Sequence, residues 1–209
     1  MKTPSILLAD DHSMIRKAIR LTLDYHCGLG QAPIKGVGSC NQLMKELSKA
    51  HYTHLILDIH LDDGSSLEVL PNIRALYPDL QIIIFSQQPY EIFGPVIKNK
   101  YGIGHYISKS DSEDTIIRLL NLLFNSPQSA GIRETMTETT AKKTPFRAIS
   151  AREFEVLHYW LQGQMNKEIA SNLNLATSTV SAFKRRILEK TKAKNIMELK
   201  DLANLHKIV

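Results

Sequence analysis

His54-Leu55-Ile56-Leu57-Asp58 reads as a short buried strand that delivers a carboxylate at its C-terminal end. Two other stretches share its character. Ile6-Leu7-Leu8-Ala9 runs into Asp10-Asp11, and Gln81-Ile82-Ile83-Ile84-Phe85-Ser86 has a wholly apolar centre. A strand with one wet face alternates polar and apolar residues. Near-continuous apolar runs instead mark strands covered on both sides, as in parallel sheets.

The segments between these strands carry helical spacing. Residues 13–25 place Ile15, Ile19 and Leu23 on one face. Helices are also predicted over 41–50, 66–76, 90–99 and 111–124, the last opened by a capping box, Ser110-x-x-Glu113. Weaker strands are predicted at 34–39 and 106–108. Five strands alternating with five helices imply an α/β layer architecture with a parallel sheet. Residues 125–148 break the pattern. Asn125-Ser126-Pro127-Gln128-Ser129 starts the stretch and threonines 135, 137, 139, 140 and 144 crowd it, so it reads as a linker. The rest is all-helical. Ser150-x-x-Glu153 opens a helix to about Leu161, which Gly163 ends. Asn166 is placed to cap a short helix through Leu173, and Asn174 supplies a left-handed turn. Further helices are predicted over 177–190 and 196–205. The expected domains are 1–125, a linker at 126–148, and 149–209.

Charge divides the same way. Residues 1–125 hold 12 Lys+Arg against 13 Asp+Glu, whereas 126–209 hold 14 against 8. A basic half joined to a near-neutral half points to one polyanion-binding domain, with nucleic acid the first candidate and an anionic membrane surface the second. No apolar run is long enough to span a bilayer, so no membrane insertion is expected. The start carries no signal-peptide pattern. Cys27 and Cys40 lack metal or redox spacing, so both are read as free thiols in a cytoplasmic protein.

Asp10, Asp11 and Asp58 each fall at the C-terminal end of a predicted strand, where open parallel sheets bind ligands. Carboxylates gathered there repel one another, and a divalent cation relieves the repulsion. An all-oxygen site favours Mg²⁺, which also neutralises charge on a transferring phosphoryl group. Ser86 ends the fourth strand and Lys109 follows the fifth. Together they could hold the oxygens of a phosphoryl group on Asp58. In the basic half, Val180, Phe183 and Ile187 share one face of the helix over 177–190, with Ser178, Ala182 and Arg185 opposite and Ser181 and Arg186 flanking. Small residues beside an arginine suit the major groove. Lys184, Arg186, Lys190, Lys192 and Lys194 are expected to meet phosphates. Trp160 and the methionines are read as packing residues.

Residues 1–125 resemble a receiver domain through Leu8-Ala9-Asp10-Asp11-His12, Leu57-Asp58-Ile59-His60-Leu61, Phe85-Ser86 and Tyr106-Ile107-Ser108-Lys109. Residues 149–209 resemble a four-helix DNA-binding domain of the LuxR type through Ile149-Ser150-Ala151-Arg152-Glu153-Phe154-Glu155-Val156-Leu157, Asn166-Lys167-Glu168-Ile169-Ala170 and Thr179-Val180-Ser181. The whole chain is similar to response regulators of the NarL/FixJ family. The resemblance implies a flavodoxin-like sheet of strand order 2-1-3-4-5. It implies that Asp58 accepts a phosphoryl group from a sensor histidine kinase, and that Asp10, Asp11, Asp58 and the His60 backbone carbonyl hold Mg²⁺. Ser86 and Tyr106 are the implied switch pair. Ser181, Ala182 and Arg185 are implied to face bases, while Lys167, Thr179 and Lys184 hold the DNA backbone. The active form is expected to be a homodimer on promoter DNA, with no enzymatic turnover beyond the receiver's own phosphorylation and dephosphorylation.

The chain departs from the family pattern at several positions. Asp62 stands where Pro is common, Ser66 where Gly is common, Ser110 where Pro often follows the lysine, and Ser181 where Lys is frequent. Ala176 replaces the usual Ser or Thr cap, so Thr177 is expected to take that role. One rival reading is a receiver that binds DNA without phosphorylation. Another is an aspartyl-phosphate phosphatase, which would carry a second Asp two residues after the nucleophile; His60 occupies that position.

Overall fold

The computed structural model describes residues 3–88, 90–125 and 145–205. The predicted linker therefore lies mostly outside the described residues; its end, Pro145–Ala148, forms a 3-10 turn. The chain divides into two compact units, Met1–Gln87 with Ile97–Thr139, and Gln88–Val96 with Thr140–Val209.

Up to residue 125 the elements run β1 (Ile6–Ala9), α1 (Ser13–His26), β2 (Ile34–Val37), α2 (Cys40–Lys49), β3 (His54–Leu57), β4 (His60–Leu61), β5 (Gly64–Ser65), α3 (Leu70–Leu76), β6 (Gln81–Ser86), α4 (Tyr90–Tyr101), β7 (His105–Ser108) and α5 (Glu113–Asn125), all in the first unit except the part of α4 up to Val96. The main sheet is parallel in the order β2-β1-β3-β6-β7. Because β4 and β5 form a separate antiparallel hairpin, the five predicted strands stand in the expected order 2-1-3-4-5. Ile6, Leu8, Ile56, Ile83, Phe85 and Ile107 pack on one face with Ile19 and Leu23 of α1 and Leu119 and Leu120 of α5. The alternate residues Leu7, Leu55, Leu57, Ile82 and Ile84 are equally buried and point to the other face. Burial on both faces is what the unbroken apolar runs required. Cys27 and Cys40 are buried free thiols, and burial pushes them up to about 11 and about 12.

Two local expectations fail in this unit. The helix predicted from residue 66 starts only at Leu70. Residues before it are drawn back to β3: Ser66 N–H donates to the Ile59 carbonyl at 2.8 Å, and its Oγ donates to the Asp58 carbonyl at 2.6 Å. The Ser110 capping box does not form either. Ser110 N–H and Oγ are both engaged by Ser108 Oγ, at 3.2 and 2.7 Å. Ser112, directly before α5, takes the capping position instead, with its Oγ accepting from Thr115 N–H at 3.4 Å.

The hairpin turn Asp62-Asp63 anchors α2. The Asp63 carboxylate accepts from the Cys40 and Asn41 backbone N–H groups at 2.6 and 3.0 Å, and Ser39 Oγ accepts from Gln42 N–H at 3.1 Å. Three of the helix's four unpaired N-terminal donors are thus satisfied. Burial alone would raise the Asp63 carboxyl, but the Asn41 and Cys40 amides outweigh it and hold it below its usual value. Its stabilising contribution is therefore present above the ordinary Asp range and lost as pH falls through the depressed value. We expect Asp63→Ala to cost about 1 kcal/mol, the usual loss of an N-terminal cap, measured by urea unfolding at pH 7. The difference from the unaltered protein should shrink in acid.

The second unit is helical: α6 (Ala151–Leu161), α7 (Asn166–Asn172), α8 (Thr177–Thr191) and α9 (Ile196–Leu205). Its core includes Phe154, Val156, Leu157, Ile169, Val180, Ile187, Leu199 and Ala203, all nearly solvent-free. Ser150 and Glu153 form the expected capping box. Gly163 (φ 85°) and Asn174 (φ 51°) adopt left-handed turns, as the pattern required. Two predicted caps are corrected. Asn166 is the first helical residue of α7, not its cap, and the Glu168 carboxylate accepts from Met165 N–H at 2.6 Å instead. Thr177 lies inside α8; Ala176 precedes it with no side-chain cap. Not all methionines pack inward: Met14, Met165 and Met197 are largely exposed.

Candidate functional site

The sheet register gathers the receiver-like residues at one edge. Asp10 follows β1 and Asp58 follows β3, with Asp58 N–H donating to the Ala9 carbonyl at 2.8 Å. Lys109 follows β7, and its N–H donates to the Ser86 carbonyl at 2.9 Å. Lys109 Nζ then reaches across the sheet end. It lies 2.6 Å from Asp10 Oδ2 and 2.5 Å from Asp58 Oδ2. Both carboxylates are almost completely buried, as is the lysine side chain. The remaining oxygens are held by backbone: Asp58 Oδ1 accepts from Ile59 N–H at 2.7 Å and Asp10 Oδ1 from His12 N–H at 2.8 Å. Ser86 and Tyr106 are buried at 1% and 4% exposure, on adjacent strands and two residues apart in register, since Ser86 pairs with Ser108 and Ile84 with Tyr106.

Asp11 is the more open carboxylate and its Oδ1 lies 2.6 Å from His12 Nδ1. Ligand atoms of Asp10, Asp11 and His12 fall within 4.8 Å of one another. The structure thus brings Asp10 and Asp58 together through Lys109, and Asp10 and Asp11 together with His12. His60 opens β4 and pairs with Ser65. His12 and Arg16 drew no role from sequence reading. Arg16 Nη1 donates to the carbonyls of Asp10 and Asp11, at 2.5 and 3.0 Å, so α1 fixes the acidic turn from below.

The electrostatics leave negative charge in excess. Burial raises the Asp10 carboxyl above its usual value, with Lys109 only partly offsetting it. Burial would lower the Lys109 ammonium, but Asp58 and Asp10 outweigh that and hold it charged. One buried cation thus serves two buried carboxylates, with a third beside them. Hard oxygen donors in this number suit a small divalent cation, so the residues present fit the group the sequence implied.

In the second unit, α8 presents Ser181 and Arg185 to solvent, with Ala182 half-buried beside them. Lys167, Thr177 and Arg186 are exposed and Thr179 is half-buried. Arg185 and Glu189 approach to 3.6 Å, both well exposed, a pair weak enough to release the arginine to another anion. Three of the predicted phosphate contacts have partners within the unit, Arg186 lying 5.8 Å from the Phe183 ring centre. Lys184 Nζ sits 4.8 Å from the Trp160 ring centre, and burial lowers its ammonium. Trp160, read as packing, is therefore also a cation's platform. Lys190 Nζ lies 2.6 Å from Glu153 Oε2, the same oxygen that accepts from Ser150 N–H and Oγ. Lys190 thereby ties the end of α8 to the start of α6. Burial opposes ionisation of Glu153, but Lys190 and Ser150 prevail and hold its carboxyl below the usual range.

Comparisons with known proteins divide along the same line. Residues 6–121 match the response regulator receiver domain, and residues 147–203 match the bacterial regulatory proteins of the luxR family. The chain is 28% identical to the Fimbriae Z protein of Salmonella typhimurium over 214 residues, covering 100% of each. It is 26% identical to the oxygen regulatory protein NreC of Staphylococcus carnosus over 219 residues, covering 98% of each. Its fold is similar to that of RcsB from Salmonella enterica serovar Typhimurium, solved bound to promoter rprA with the phosphomimetic BeF3-. That similarity has a TM-score of 0.74 at 21% identity, over 96% of this chain and 98% of the other. No described helix is long and apolar enough to cross a membrane.

Proposed function

Since this chain belongs to the two-component response regulators, with a receiver domain followed by a LuxR-type DNA-binding domain, we propose that Asp58 accepts a phosphoryl group from a sensor histidine kinase and thereby controls DNA binding through α8. The observation that carries this is the buried Asp10–Lys109–Asp58 bridge at the ends of three strands. In this reading the receiver spans 1–125 and the DNA-binding domain 149–209. Asp10, Asp11 and Asp58, with the His60 carbonyl, would hold Mg²⁺, which supplies neutralisation of the charge on the transferring group.

The chain's own residues do the rest. The Ile59 amide fixes one Asp58 oxygen, so the other faces Lys109 and attacks phosphorus, forming the O–P bond as the P–N bond to the kinase's phosphohistidine breaks and the imidazole leaves. Phosphorylation replaces one negative charge by nearly two, and the Lys109 ammonium stays paired with the new phosphoryl oxygens. Ser86 and Tyr106 lie on adjacent strands and carry the change as a two-state shift. No other substrate is turned over. Active protein pairs as a homodimer, because a two-fold protein reads two half-sites; one RcsB structure is described as two dimers bound to two parallel DNAs. The basic half and the exposed Arg185 supply phosphate attraction and base reading.

The test is DNA affinity of the full chain on its own upstream duplex, with and without beryllofluoride and Mg²⁺. The phosphoryl mimic should change affinity, whereas equal affinities would remove the switch. Arg185→Ala should weaken specific binding roughly 5- to 150-fold, the worth of one bidentate arginine–guanine contact. Unchanged specific footprints would exclude that arginine as a reader.

A further inference from the structure

The base-facing surface of α8 contains one side chain whose hydrogen bonds are already assigned within the protein. Ser181 Oγ donates to the Thr177 carbonyl at 3.0 Å, one turn back along α8. The same oxygen accepts from Asn166 Nδ2 of α7 at 2.9 Å. A serine hydroxyl has one proton and two lone pairs. Its proton and one lone pair are therefore committed, and one acceptor position remains.

We propose that Asn166 is a specificity-determining residue of this chain: it holds Ser181 as an acceptor-only reader, so the base that Ser181 meets on the contacted strand is chosen for its major-groove amino group. This rests on the reading of α8 as the groove-entering helix. A freely rotating serine hydroxyl can donate or accept and tolerates any base edge. One whose proton is turned into the helix can only accept. In the major groove the donors are adenine N6–H₂ and cytosine N4–H₂; guanine and thymine offer only acceptors on their polar edges. Asn166 acts through Ser181 and is a positioning residue. Its amide supplies the second fixed bond, against which rotation of the hydroxyl would leave a donor unpaired. The side chain is free for this because the N-terminal bond of α7 is made by Glu168 to Met165.

The pair is tested by selecting bound duplexes from a random-sequence pool with the full chain, acetyl phosphate and Mg²⁺ present. The set is the unaltered protein, Asn166→Ala, Ser181→Ala and the double variant, each with its thermal midpoint measured. Ser181→Ala identifies the facing position as the one whose preference it relaxes. Deleting the exocyclic amino group of that base pair (purine in place of adenine, 2-pyrimidinone in place of cytosine) should weaken binding by the unaltered protein about 2- to 10-fold more than binding by Ser181→Ala, the worth of one hydrogen bond. Asn166→Ala should relax the same position, and the double variant should be no worse than either single change. Preferences elsewhere and the thermal midpoints should stay within error. Additive losses, a relaxed position different from that of Ser181→Ala, or an equal effect of the amino-group deletion on the unaltered protein and Ser181→Ala would overturn the inference while leaving α8 as the reader. Selection of no sequence by the unaltered protein would overturn that reading, and the pair with it.

Discussion

Lys109→Ala lowers the stability of the receiver by about 3–5 kcal/mol at neutral pH in the absence of divalent cations. That is the cost of stripping the partner from a buried charge. Here the cost falls on two carboxylates, since the ammonium is within 2.6 Å of Asp10 and 2.5 Å of Asp58. Lys109 is raised above its ordinary value, so the bridge's contribution is fully present below that ordinary value and fades as pH climbs through the raised one. Mg²⁺ held in the folded protein by the same carboxylates, as proposed, should recover more stability in Lys109→Ala than in the unaltered chain. Urea unfolding with and without millimolar Mg²⁺ measures both effects. A variant of unchanged stability would mean that the bridge is not formed in solution.

Arg152→Ala should have an effect of similar size in the DNA-binding domain. Glu155 is 1% exposed, and Arg152 Nη1 lies 2.6 Å from its Oε2. Arg152 Nη2 also donates to the Leu173 carbonyl at 3.2 Å, at the end of α7. Removing the guanidinium leaves a buried carboxylate short of its cation and frees the turn that leads into α8. The expected loss is about 3 kcal/mol, at the low end for a broken buried pair because Arg152 is itself partly exposed. Thermal unfolding of the full chain checks it. Arg152→Lys should restore only part, since an ammonium cannot serve both acceptors with fork geometry. A loss below 1 kcal/mol would show that the Arg152–Glu155 pair is not formed in solution.

The contrast between these residues explains what could be read from the chain beforehand. Elements set by local pattern were legible. The apolar runs at 6–9, 54–57 and 81–86 placed three strands, Asn174 and Gly163 marked turns, Ser150 with Glu153 marked a helix start, and α9 runs over Ile196–Leu205 as expected. The convergence of Asp10, Asp58 and Lys109 was legible because strand ends of a parallel sheet must meet at one edge. Features set by distant partners were not. Nothing near Ser110 shows that Ser108 will take its hydrogen bonds, nor near Asp63 that it will cap α2 from the hairpin turn. Lys190 looked like a phosphate ligand because its pairing with Glu153 spans 37 residues. The Asn166–Ser181 bond was hidden for the same reason, and the capping habit of Asn obscured it further. Ser66 was seen only as a missing glycine, whereas its hydroxyl serves the backbone of Asp58.

Asp58 is the one residue expected to take a phosphoryl group. The full chain, incubated with acetyl phosphate and Mg²⁺, digested in acid and mapped by mass spectrometry, should carry one phosphoryl group on the peptide containing Asp58. Chelating the metal or substituting Asp58→Ala should prevent it. A phosphoryl group on any other residue, or none under conditions where the folded protein binds Mg²⁺, would contradict it.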